Sequence, residues 1–191
     1  MKLKLSALSG VTAIELLMAV SILGIVTTIA LPHFSNLVEA HRGKQLQWRW
    51  AGLLKAARQQ AISRQRWVTV CPVVAGRCVS DLNQPWHAFF DDDNNQFYND
   101  SADLVAEINI PPETRVIMYK GVATLPYFRY RASGLSGNLR SLTVCPTGEP
   151  DHLAFHLSST HLGRLRFFND TDGDGIVDRR YQGTQQNIVC S

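Results

Sequence analysis

Gly10-Val11-Thr12-Ala13-Ile14-Glu15-Leu16-Leu17-Met18-Ala19-Val20-Ser21-Ile22-Leu23-Gly24-Ile25-Val26-Thr27-Thr28-Ile29-Ala30-Leu31-Pro32 is the stretch on which the reading of this 191-residue chain turns. Val11 to Leu31 holds 21 residues with Glu15 as the single charge, enough to cross a bilayer as a helix. A secretory signal sets its small-residue cleavage site after the apolar run. Here Ser9-Gly10 stands before it, so cleavage after Gly10 leaves the helix on the mature chain. Lys2 and Lys4, ahead of the run, stay cytoplasmic and direct the remainder outward. A carboxylate in an apolar span costs roughly 2.5–3.5 kcal/mol at the bilayer centre and less toward the interface. Glu15 is therefore either a charge tolerated near the interface or one that neutralises the N-terminal amine of a neighbouring subunit when spans bundle.

The run Gly10-Val11-Thr12-Ala13-Ile14-Glu15-Leu16-Leu17 resembles the class III signal of type IV pilins and type II secretion pseudopilins, GFTLIELL followed by an apolar helix. The resemblance covers about the first 35 residues, and departs from the family pattern at Val11, where Phe is usual, and at Ala13, where Leu is usual. It implies cleavage after Gly10 by a prepilin peptidase, N-methylation of Val11, and pairing of Glu15, the fifth mature residue, with the methylated amine of an adjacent subunit. Pro32 falls where many pilins carry a helix-kinking proline. The implied partners are other major and minor pilins and the inner-membrane assembly platform. The implied location is the inner membrane, as a single pass with a periplasmic C-terminal domain, and then the pilus or cell surface.

Beyond Pro32, Leu46, Trp50, Leu53, Leu54, Ala57 and Ala61 recur on one helical face, which predicts a helix to about Arg64 packed on a sheet. Lys44, Lys55 and Arg58 lie opposite and read as a solvated polar face. From Val11 to Arg64 such a helix is about 80 Å long. Past Arg66 the pattern changes to short β-branched and aromatic runs between Gly, Pro, Asn and Asp. Strands are expected at 67–71, 86–90, 104–108, 115–119, 127–131, 139–144, 153–157, 164–168 and 176–182. The expected fold class is α+β, pilin-like, with a long N-terminal helix packed on an antiparallel β-sheet domain. The expected division is a leader at 1–10, a hydrophobic transmembrane and filament-core helix at 11–37, and a periplasmic globular pilin domain at 38–191.

The formal net charge of +3 conceals segregation. Residues 40–80 carry eight Lys or Arg and no acid, 91–113 carry seven acids and no base, and 114–148 carry Arg115, Lys120, Arg129, Arg131 and Arg140 with no acid. Any affinity for a polyanion must come from a local patch. Gly163-Arg164-Leu165-Arg166 sets two arginines on one face of a strand, able to grip phosphates without reading sequence. With Trp86-His87-Ala88-Phe89-Phe90-Asp91 and Leu142-Thr143-Val144-Cys145, the globular part resembles the GspH/FimT group of minor pilins and minor pseudopilins. In FimT-type minor pilins a GRxR motif contributes to binding DNA for natural transformation, and the resemblance carries that role to Arg164 and Arg166. Arg129 and Arg131 are further candidates for DNA contact; they alternate with Phe128 and Tyr130, aromatics that in a strand face the core more often than they stack bases. Two other roles of the group stay open: a structural pilus-priming subunit of the FimU type, and a type II secretion pseudopilin of the GspH type.

Cys71, Cys78, Cys145 and Cys190 can all be oxidised in a periplasmic domain. Of three possible connectivities the expected one is Cys71–Cys78 with Cys145–Cys190: the first closes a short loop across Pro72 and Gly76, the second ties the chain end into the sheet. No CxxC pair or Cys/His cluster favours zinc. Asp170-Thr171-Asp172-Gly173-Asp174-Gly175-Ile176-Val177-Asp178 sets acids at positions 1, 3, 5 and 9 of a calcium-type loop with Gly at 6. Tyr181 stands at position 12, where a bidentate Glu is expected, and an Asp/Gly hairpin turn is the competing reading. No cofactor other than such a Ca2+ is expected. No nucleophile, acid pair or phosphate loop stands out, and an enzyme is not expected.

Overall fold

The computed structural model describes residues 11–98, 100–119, 126–146, 153–181 and 184–190. The leader, with its cleavage position Gly10, lies outside the described residues, as do Lys120 and His152. One helix, α1 (Ala13–Arg64), precedes the strands β1 (Val68–Val74), β2 (Arg77–Cys78), β3 (Trp86–Phe90), β4 (Leu104–Ile108), β5 (Thr114–Tyr119), β6 (Phe128–Tyr130), β7 (Ser141–Pro146), β8 (Phe155–Ser159), β9 (Leu165–Phe167), β10 (Asp178–Tyr181) and β11 (Thr184–Asn187). The fold is α+β, and every strand pairing is antiparallel. The chain forms two compact units, 1–41 and 42–191.

In the first unit Thr12 opens α1: its Oγ1 and its carbonyl both accept the Glu15 amide, at 3.3 and 3.1 Å. Thr12-Ala13-Ile14-Glu15 thus has the spacing of a capping box, with Thr12 as the N-cap. The large apolar side chains from Val11 to Val26 are all exposed, at 54–72%. The hydroxyls of Ser21, Thr27 and Thr28 donate back to the carbonyls of Leu17, Leu23 and Ile25 at 2.7–2.9 Å, so the surface offers few unmet polar groups to an apolar surrounding. Among the described residues no helix is long and apolar enough to cross a membrane.

In the second unit all six apolar positions read from the helical face, Leu46 to Ala61, are buried. They pack on Val68, Val70, Trp86, Ala88, Phe128 and Tyr130 of one sheet and on Val116, Leu142, Val144, Phe155 and Leu157 of another. The first sheet runs β2-β1-β3-β4 with β6 also on β1; the second runs β5-β7-β8-β9; β10 and β11 form a separate hairpin. Trp50 and Trp86 meet edge to face, with ring centres 4.8 Å apart, a geometry that aromatic quadrupoles favour. At its C-terminal end α1 stops through a Schellman motif: Gln65 takes φ 54°, Arg66 N–H donates to Ala61 O at 3.2 Å and Gln65 N–H to Ile62 O at 3.4 Å.

Two sequence expectations are corrected here. The strand expected at 176–182 is shorter, and a second strand, β11, follows it. Lys44 and Lys55 are exposed, but Arg58 is half-buried: its Nε donates to Gly134 O at 2.9 Å and its Nη2 to Leu162 O at 3.4 Å. The guanidinium reaches past the helix surface because two loop carbonyls stand where solvent was expected.

His156 on β8 is buried, hydrogen-bonded through Nδ1 to Thr143 Oγ1 at 2.8 Å and walled by Tyr119 and Phe168. Burial, and then the charge of Arg179, lower its pKa from 6.5 to about 4. Between those values the unfolded chain binds a proton that the folded chain refuses, so stability falls as pH drops through this window. The loss amounts to roughly 3 kcal/mol when complete. Urea unfolding from pH 7 to pH 4 is expected to show it, and a His156→Gln chain should lose that part of the slope.

Candidate nucleic-acid interface

The sequence Gly163-Arg164-Leu165-Arg166 sits at a tight turn entering β9. The turn bonds to itself: Thr160 N–H donates to Arg164 O at 2.9 Å, Arg164 N–H to Thr160 Oγ1 at 3.2 Å and Gly163 N–H to Thr160 O at 2.9 Å. Gly163 has φ 69° and is buried, and a Cβ there would overlap the Gly134 carbonyl oxygen and crowd the Arg58 guanidinium. The glycine of the motif is thus required by a close approach between the 160–164 turn and the 131–135 turn. Ser136 N–H donates to His161 O at 3.1 Å, and Arg58 binds a carbonyl from each turn.

Arg164 and Arg166 are both exposed. Arg166 lies opposite Ser158 in the β8–β9 register, with its Cζ 5.1 Å from the Phe168 ring centre. Among the described residues β9 pairs only with β8, so Arg166 stands at a sheet edge and Arg164 directly precedes it. Arg131 is exposed on the adjoining turn, where its carbonyl accepts the Gly134 N–H. Among the described residues the guanidinium groups of Arg131, Arg164 and Arg166 make no hydrogen bond or ion pair.

Arg129 is placed differently. Its Nη2 donates to Asp91 O at 2.8 Å and its Cζ lies 4.1 Å from the Trp67 ring centre, with Arg131 5.4 Å from the same ring. Phe128 and Tyr130 are fully buried, so their rings belong to the core and present no stacking surface. Arg115 donates to Cys190 O at 3.2 Å, Arg140 is buried, and Arg66 pairs with Asp92 and Asp103 at 2.7 and 3.1 Å. Arg129 thus has a backbone carbonyl and an aromatic face as partners, whereas Arg131 is exposed and touches the same Trp67 ring. Arg58, which holds the two turns together, reads as solvated in the sequence because the two carbonyls it binds lie 76 and 104 residues away.

Disulfides join Cys71 to Cys78 and Cys145 to Cys190. The first staples β1 to β2. The second anchors the segment after β11, where Ile188 packs on Cys145 and Ala154. The oxygens of Asp170, Asp172 and Asp174 lie within 4.8 Å of one another, and Asp178 is buried beside them on β10.

The profile of the family described as type II transport protein GspH matches residues 49–161. Gly163 to Arg166 and the acidic loop lie just beyond the matched region. No curated protein sequence matches the chain. Among solved structures, the type IV minor pilin FimU of Pseudomonas aeruginosa aligns at 14% identity and a TM-score of 0.43, covering 69% of this chain and 86% of that one. The minor pseudopilin EpsH from the type II secretion system of Vibrio cholerae aligns at 16% identity and a TM-score of 0.44, covering 71% of this chain and 97% of that one.

Proposed function

Because the chain belongs to the family of type II transport protein GspH, which comprises minor pilins and minor pseudopilins, we propose that it is a minor pilin of a type IV pilus that binds DNA without sequence preference for uptake in natural transformation. In this reading a prepilin peptidase cuts after Gly10, Val11 is methylated, and Val11 to Leu31 holds the chain in the inner membrane as a single pass. The assembly platform then moves it into the pilus or its tip among major and minor pilins, with Glu15 pairing with the methylated amine of a neighbour. The exposed apolar helix supports this, since a surface of that kind is covered either by lipid or by other such helices. The family's members are structural subunits, and the reading assigns the chain no reaction.

One observation carries the DNA role: Arg131, Arg164 and Arg166 are exposed on adjoining turns and a strand edge, and among the described residues their guanidinium groups make no hydrogen bond or ion pair. Bidentate guanidiniums suit phosphate oxygens, and their arrangement reads no base. Three such contacts give a salt slope of about −2.7 in log affinity against log salt on duplex DNA, with non-specific dissociation constants of about 10⁻⁶–10⁻⁴ M. Fluorescence anisotropy of a labelled duplex with the detergent-solubilised mature chain is expected to give that slope. Arg164→Ala with Arg166→Ala should flatten the slope by about 1.8 and weaken binding at low salt by tenfold or more. Equal affinity of parent and double variant would overturn the arginine assignment.

The family's character as a type II transport protein favours a second reading, a minor pseudopilin of type II secretion. On that reading deletion blocks export of secreted proteins and leaves DNA uptake intact, the reverse of the outcome expected for the first.

A further inference from the structure

The loop between β9 and β10 concentrates acids that the pilin reading leaves without a task. Asp170 accepts the Gly173 and Gly175 amides at 2.7 and 2.8 Å, Asp172 accepts the Asp174 amide at 3.2 Å, and Asp174 accepts the Ile176 amide at 2.8 Å. These bonds fold three carboxylates inward until their oxygens are within 4.8 Å of one another. Among the described residues no Lys, Arg or His forms an ion pair with any of them.

Asp178 supplies the separate observation. It is 4% exposed, and its Oδ2 is saturated by Thr171 N–H at 2.8 Å, Thr171 Oγ1 at 2.6 Å and Gln185 Nε2 at 2.8 Å. Those bonds clamp the carboxylate against the loop at the residue between Asp170 and Asp172. Its other oxygen, Oδ1, is buried and accepts nothing. A buried carboxylate oxygen without a donor is costly, by about 1–3 kcal/mol or more. A cation with its bound water removes this penalty.

We propose that Asp170, Asp172 and Asp174, the Ile176 carbonyl and a water held by Asp178 Oδ1 bind one calcium ion. The positions are 1, 3, 5, 7 and 9 of a calcium loop, the ninth acting through water, and Gly175 at position 6, with φ 88°, makes the sharp turn. All donors are oxygen, which selects a hard cation. The loop is built on hydrogen bonds and lacks a bidentate carboxylate at position 12, so it suits calcium's tolerant geometry better than magnesium's strict octahedron. The ion ties the loop to the β10–β11 hairpin, because Asn187 donates to Asp174 and Gln185 to Asp178.

The test uses the mature chain in detergent, stripped with a chelator and titrated with calcium chloride, read by flow dialysis and by thermal melting. One ion per chain is expected, with a dissociation constant of about 10⁻⁴–10⁻³ M, and the melting temperature should rise by several degrees. Asp172→Asn, a change at an exposed side chain, should melt like the parent without calcium and lose the calcium shift. Asp178→Asn should bind about tenfold more weakly. Absence of binding up to ~10 mM calcium, an equal shift from magnesium, or an undiminished shift in Asp172→Asn would each overturn the proposal.

Discussion

Gly163→Ala is expected to lower the unfolding free energy by about 2.5–5 kcal/mol, summing a left-handed backbone penalty of about 1–2 kcal/mol with loss of a charged hydrogen bond worth about 1.5–3 kcal/mol. A Cβ at Gly163 has no way to avoid the Gly134 carbonyl oxygen, because both groups are backbone held in turns. Relief requires the 131–135 and 160–164 turns to part, and parting them pulls Gly134 O away from Arg58 Nε. Two other glycines serve as comparisons. At Gly134, φ 76°, the added carbon meets the end of the Ile62 side chain, which can turn aside; at Gly173, φ 83°, it meets nothing within 4 Å. The expected order of loss in urea unfolding is therefore Gly163→Ala, then Gly134→Ala, then Gly173→Ala at about 1 kcal/mol. Equal losses at Gly163 and Gly173 would show that the turns do not abut.

Replacing Cys145 and Cys190 together by Ser is expected to lower stability by about 4 kcal/mol on the chain-entropy account, against about 2.5 kcal/mol for Cys71 and Cys78. The difference follows from sequence separations of 45 and 7 residues. The longer bridge also holds the C-terminal segment against the sheet: Ile188 is fully buried beside Cys145 and Ala154, with Ile117, Ile176 and Val177 around them. Its loss should expose the 176–190 region to proteolysis and leave β1 to β4 protected. Paired urea curves and limited digestion of the two double variants check both statements, and a larger loss for the Cys71/Cys78 pair would contradict the ring-size argument.

Much of the fold was legible because its signals are periodic. The face from Leu46 to Ala61 is buried at each position read, and β3 and β4 have the boundaries read from their apolar runs. Strand β2 has two residues, and β11 reads Thr-Gln-Gln-Asn and is largely exposed; neither carries a hydrophobic alternation to detect. For the interface, alternation put Arg164 and Arg166 on one face but could not separate Arg129 from Arg131. That separation depends on Asp91 O and the Trp67 ring, both supplied by distant segments. Arg58 was read as solvated for the same reason: helical spacing fixes the side on which a residue stands and says nothing of which loop returns to meet it. In the acidic loop the spacing of the carboxylates was visible, whereas the orphaned Oδ1 of Asp178 is a property of packing alone.

The position of Arg166 on β9 carries a further consequence. β9 is three residues long and, among the described residues, has one free side, so its unpaired amides and carbonyls form a short template on which another strand could add. Subunits packed side by side along a filament present such edges to one another at very high local concentration. A strand this short, flanked by Arg164 and bearing Arg166, repels an identical copy and gives an incoming strand little to zip onto. In the proposed filament the same charges would act as a guard against runaway sheet growth between neighbours.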